Sequence, residues 1–191
     1  FKGKYYGSYE IILSSIKATD DQIVCEVNVA DYSRVVNIKV IPDKVSKCQT
    51  VNNIPKTKSG NIYKLTFECF DKHNNKAYLE NDVFGARVTN KSKETLDYKI
   101  YLNEDYSFDI NIEPTIIGEY TIQSIYLDKE IKFEVIHGDI SPENSYIEIK
   151  NGKITAGDDV EIFVHVLDKY NNEVVLDESD IGLFDLYYKL A

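Results

Sequence analysis

The chain has 191 residues, 43% hydrophobic and 28% charged, ordinary proportions for a globular protein with room for one large or two small domains. A net charge of −10 and a pI near 4.8 argue against a nucleic-acid-binding surface, which needs basic side chains, and against docking on anionic membranes. No apolar run approaches the roughly 18 residues of a membrane helix, and 15 Tyr and 8 Phe among many Ile and Val lean the chain toward strands.

In chain order, "GSYEIILSSI" (7–16) and "VNIKVIPD" (36–43) read as strands, and "TDDQIVCEVNVADYSR" (19–34) between them as an extended hairpin. In 63–69, Tyr63, Leu65, Phe67 and Cys69 alternate with Lys64, Thr66 and Glu68, the period-two signature of a half-buried strand. "FDKHNN" (70–75) follows as a turn. Alternation resumes in Tyr106, Phe108, Ile110 and Ile112, and again in Tyr120 and Ile122, with Gly118 at the tight turn between. "HGDISPENS" (137–145) is short for a linker, so restricted motion is expected across it. Val160, Ile162, Val164 and Val166 predict another half-buried strand, followed by "LDKYNN" (167–172). No segment has convincing helical spacing. Short strands with turn signals every 8–12 residues point to a β-sandwich.

The two Asp-Lys-aromatic-Asn-Asn turns lie 97 positions apart, Asp71 to Asp168, and the match runs without a gap from 59–85 onto 156–182. Gly60 falls on Gly157, Leu79 on Leu176 and Gly85 on Gly182. That period is far too long for a solenoid and fits independent domains in tandem. The shared residues are turn chemistry. The Asp side chain can bond amides ahead of it, and the first Asn can adopt a positive φ, which most residues cannot.

Catalytic signatures are absent: there is no phosphate loop, H-E-x-x-H or G-x-S-x-G, and Ser59, Ser92, Ser107 and Ser141 have no His partner in the pattern. No enzyme activity and no cofactor are expected. Carboxylate pairs fall in predicted turns. A calcium site drawing on Asp43 or Asp139 with Glu143 lacks a spaced ligand motif, and the scattered His and Cys argue against zinc. Pairing about a turn near Lys58 would set Cys48 opposite Cys69, close enough to bridge. Two alternatives stay open: Cys69 is a small core residue, or Cys25 pairs with Cys48. A bridge would place the protein on a cell surface or in the secreted fraction. "NKS" (90–92) is a glycosylation sequon.

The stretch "DYSFDINIEPTIIGEYTIQSIYLDKEIKFEVIHGDISPENS" (105–145), with Tyr106, Pro114, Gly118, Tyr120 and Gly138 at matching places, resembles the filamin-type immunoglobulin repeat. Asn74 and Asn171 stand where that family has a turn Gly, and its Ser-Pro-Phe before the last strand is absent. Bacterial invasin-type immunoglobulin domains share the Asp-led turn and are the rival; the Gly-x-Tyr segment favours filamin. The resemblance implies an all-β array of immunoglobulin-like sandwich repeats of about 97 residues. Residues 1–45 would be the end of one repeat, 46–139 a complete repeat and 140–191 the start of another. The chain, which opens on Phe1 and has no Met, reads as a piece of a longer protein.

By resemblance, the partner is a protein, bound as an extended peptide by β-augmentation along the third and fourth strands, which would be 83–90 ("VFGARVTN") and 95–102 ("TLDYKIYL"). The implied contacts are Val83, Phe84, Ala86, Val88, Tyr98, Ile100 and Leu102, with Lys91 and Lys93 guarding the edge. The functional expectation is a non-enzymatic adhesion or interaction protein on a cell surface, such as that of a gamete or protist. The alternatives are a cytosolic actin-crosslinking rod, or an accessory domain of an invasin-like adhesin or a larger enzyme.

Overall fold

Tyr63, Leu65, Phe67 and Cys69 are fully buried along one face of the strand Tyr63–Asp71, and their polar neighbours face outward. The computed structural model describes residues 2–4, 8–10, 23–29, 32–79, 84–150 and 159–176, with the isolated positions 12, 14, 15, 17–19, 153 and 155–157. Every regular element among them is a strand. β1 (Lys2–Lys4) pairs with β2 (Ser8–Glu10), and β3 (Ile23–Val29) with β4 (Tyr32–Ile38), each antiparallel.

The sandwich is built from the next nine strands: β5 (Val45–Thr50), β6 (Lys56–Lys58), β7 (Tyr63–Asp71), β8 (Arg87–Asn90), β9 (Thr95–Leu96), β10 (Tyr98–Leu102), β11 (Ser107–Ile112), β12 (Gly118–Gln123) and β13 (Ile131–Ile136). One sheet has the order β10-β11-β7-β5, the other β6-β13-β12-β8-β9. The chain changes sheets between β5 and β6, and β6 runs parallel to β13; strands that switch sheets make the corners of sandwiches. It changes again between β6 and β7, between β7 and β8, at Asp97 between β9 and β10, and between β11 and β12.

The two inner faces meet in a core rich in aromatic rings. Phe84 lies 5.0 Å from Phe67 and 4.9 Å from Phe108, centroid to centroid. Phe133 stacks between Tyr63 at 3.8 Å and Tyr120 at 5.3 Å. Both buried tyrosines keep their polar ends bonded. Tyr63 donates to the Ile54 carbonyl at 2.7 Å and Tyr120 to that of Ile116 at 2.8 Å. The Tyr120 bond, from the start of β12 back to the preceding corner, is the tyrosine corner of immunoglobulin sandwiches.

Two sequence expectations are corrected. Tyr106 does not join the alternation of Phe108, Ile110 and Ile112. Its φ of +65° breaks the extended path, and it sits in the turn before β11, nearly half exposed. In the second copy the strand is shorter, β15 (Ile162–His165), paired, among the described residues, only with β14 (Tyr146–Ile149). Ile162 and Val164 are exposed, and among the described residues their sheet has only two strands.

Candidate interaction site: a doubled turn, a joint and a free edge

Where β7 ends, Asp71 Oδ1 accepts hydrogen bonds from the backbone N–H groups of His73 (2.8 Å) and Asn75 (2.9 Å). Asn75 Nδ2 donates to Asp71 Oδ2 at 2.8 Å, and Asn74 takes φ +64°. The second turn repeats this bond for bond. Asp168 Oδ1 accepts from Tyr170 (2.8 Å) and Asn172 (2.9 Å), Asn172 Nδ2 donates to Oδ2 at 2.8 Å, and Asn171 takes φ +65°. Asn is the side chain that tolerates this backbone region best after Gly.

Neither turn is self-contained. Asp71 Oδ2 accepts the Asp43 N–H at 3.0 Å, and Asn75 Oδ1 accepts that of Ala18 at 2.9 Å. Asp168 Oδ2 accepts the Gly138 N–H at 2.9 Å and the Ser59 hydroxyl. Asn172 bonds the Ile117 N–H at 3.2 Å and the Thr115 carbonyl at 2.8 Å. The second turn is thus seated against the end of the sandwich, on the Ser59–Gly60 turn, the 115–117 loop and Gly138. Tyr170 lies over Gly60, where an added Cβ would fall 2.3 Å from its ring. Lys58 and Asp139 close the rim with an ion pair of 2.6 Å. Burial pushes the Asp168 carboxyl up, but the bonds from Ser59, Asn172 and Gly138 outweigh it and hold it well below the usual carboxylate range. Asp71 is depressed by the same balance, burial opposed by Asn75, Asp43 and His73. Sequence reasoning found the turn and missed the joint. The available signal was the second Asn of each pair, whose side chain bonds its own Asp and still has an amide oxygen to offer outside the turn.

The expected edge contacts divide. Val83 lies outside the described residues. Phe84 and Val88 are fully buried, so the expectation that they meet a partner is corrected: their side chains fill the core. The backbone of β8 is also taken, by β12 on one side and by β9 at Val88 and Thr89 on the other. Ala86 is partly buried, and its N–H donates to the Tyr98 hydroxyl at 3.0 Å. Tyr98 and Ile100 lean on the core, whereas Leu102, with its neighbour Tyr101, is exposed. Among the described residues β10 pairs only with β11, through five residues, and its other edge has no strand beside it. Lys91 and Lys93 lie, exposed, in the turn joining β8 to β9.

Cys48 and Cys69 are direct register partners of β5 and β7, buried and joined by a disulfide. Cys25, on β3, is unbonded. Asn90, the sequon residue, closes its turn with both ends of its amide, to the Glu94 N–H at 2.9 Å and Glu94 Oε2 at 2.8 Å. Among the described residues no three His, Cys, Asp or Glu side chains are placed to hold a metal, and no helix is long and apolar enough to cross a membrane. Asp43 pairs instead with Lys72 at 2.9 Å.

No family model and no curated protein matches the chain. Solved structures do. The FdeC adhesin of Escherichia coli superposes with a TM-score of 0.56 at 18% identity, over 81% of this chain and 52% of the other. The Lin-41 filamin domain covers 52% of this chain and 100% of its own, at 16% identity and a TM-score of 0.43. Domains 4–9 of the surface-layer protein SbsC cover 78% and 24%, at 18% identity and a TM-score of 0.35. The chain spans about half the length of the FdeC structure it matches. With the tyrosine corner and the two-sheet topology, the FdeC likeness defines the class: the chain contains an immunoglobulin-like β-sandwich.

Proposed function

We propose that this chain is a section of a non-enzymatic adhesion or interaction protein, in which filamin-like immunoglobulin repeats follow one another in tandem. Residues 46–139 are one complete unit, and 1–45 and 140–191 belong to its neighbours. The observation that carries this reading is the second Asp-led turn, which reproduces the first bond for bond and is seated on the end of the preceding sandwich. Repeated domains joined this way hold and present binding surfaces. The Cys48–Cys69 bridge supports an oxidising location, the cell surface or the secreted fraction.

The surface presented is the open edge of β10, which takes an extended peptide segment as a fifth strand, with Tyr98, Ile100, Tyr101 and Leu102 as its side-chain frame. Selection from a random displayed-peptide library tests this. Binders are expected to perturb the amide resonances of β10 and to lose affinity at least tenfold in a Tyr101→Lys, Leu102→Lys double variant. Binders that perturb other strands and ignore the double variant would contradict the assignment.

A further inference from the structure

A cleft of about 1060 Å³ lies between the sandwich and the segments that precede it. Tyr78, Tyr106 and Tyr126 line it on the sandwich side, and Lys39 to Lys44 line it on the other. Three observations give it a chemistry. First, Tyr78 and Tyr106 meet edge to face with ring centres 5.9 Å apart, yet stay 42% and 46% exposed. Their hydroxyls bond to nothing among the described residues. Second, Tyr106 stands in the left-handed region, at the end of a turn where Asn103 N–H bonds the Ser107 carbonyl at 2.9 Å. Gly or Asn is the ordinary occupant there, and a bulky aromatic is strained. The strain buries little surface; what it achieves is to hold a ring at the cleft mouth. Third, the charged lining balances, with Lys39, Lys44 and Lys76 against Asp43, Glu104 and Asp105. Asp105 is already engaged, by the Ser107 N–H and hydroxyl and by Lys76, whereas Glu104 is exposed.

We propose that this cleft is a carbohydrate site for a short neutral saccharide, with Tyr78 and Tyr106 as the platform for a sugar face and Glu104 with the tyrosine hydroxyls as partners for its hydroxyls. A sugar ring has one apolar C–H face and a polar rim, which matches amphipathic rings beside open polar groups. Balanced charge disfavours an acidic or a basic ligand. Concave mixed surfaces at the meeting of two chain units are where small ligands bind. The site is separate from the β10 edge and does not depend on that assignment.

The test is saturation-transfer NMR on the full chain with lactose, maltose and N,N′-diacetylchitobiose, beside sialyllactose and a tri-lysine peptide. At least one neutral disaccharide is expected to bind in the millimolar range, and binding should weaken at least tenfold in Tyr106→Gly. That variant removes the ring and relaxes the backbone, so its unfolding midpoint should equal or exceed that of the parent; a ring that served only packing would lower it. Tyr32→Ala, an exposed tyrosine outside the cleft, should bind normally. Absence of binding by all three neutral sugars, binding by tri-lysine alone, or unchanged affinity in Tyr106→Gly would each overturn the proposal.

Discussion

Asp71 and Asp168 each accept several hydrogen bonds at a point where the chain reverses, and both are buried as carboxylates. Such groups link stability to pH. An unfolded Asp titrates near about 3.9, and both folded values lie below that. A depressed carboxyl contributes stability that is complete above the unfolded value and is lost as pH falls toward the folded one. The unfolding midpoint should therefore hold steady from pH 7 to about 5 and fall below about pH 4. Asp168→Asn should be weaker at neutral pH, because its amide nitrogen cannot accept the Ser59 and Gly138 bonds, and should show a shallower acid decline. Thermal melts across pH check both. The neighbouring Asn74 and Asn171 are exposed, so substitution there probes backbone alone. Asn74→Val should cost about 1–2 kcal/mol and Asn74→Gly only a few tenths, by denaturant titration. This turn was legible in the sequence because its chemistry is local: all its internal bonds fall within five residues. Tyr106 was not, because an aromatic in an alternating run gives no sign of a left-handed backbone.

At the scale of elements, period-two alternation placed β7, β11 and β12, since each buries one face against an opposing sheet. It failed on β15, which among the described residues belongs to a two-stranded sheet and is exposed. It also joined what the fold divides. Residues 95–102 read as one strand, but β9 stays with the five-stranded sheet and β10 crosses to the other. Side-chain phase does not report which backbone edge is free, so Phe84 and Val88 were assigned to a partner instead of the core. The cysteines of β5 and β7 clamp a 21-residue separation at the edge of the four-stranded sheet. Replacing both with Ala should cost about 3 kcal/mol, read as a lowered urea midpoint, with a comparable loss on reduction of the parent. Thiol labelling of protein from its native source should find one free thiol, Cys25; three would contradict an oxidising location.

The whole molecule is governed by contacts that sequence spacing cannot reveal. Ser59 and Asp168 lie 109 positions apart, and Gly60 makes room for the ring of Tyr170. Side chains and backbone amides both cross the joint, which predicts that the sandwich and the second turn, 167–173, move as one body. An Ala at Gly60 would meet Tyr170 and strain a φ of +77°, so Gly60→Ala should loosen the joint while leaving the sandwich folded. Residual dipolar couplings of the full chain, parent and Gly60→Ala, test this most directly. The account predicts one alignment tensor fitting both units of the parent, and two differing tensors in the variant. Two independent tensors in the parent would contradict the rigid joint, and with it the reading of the doubled turn as the device that strings these domains together.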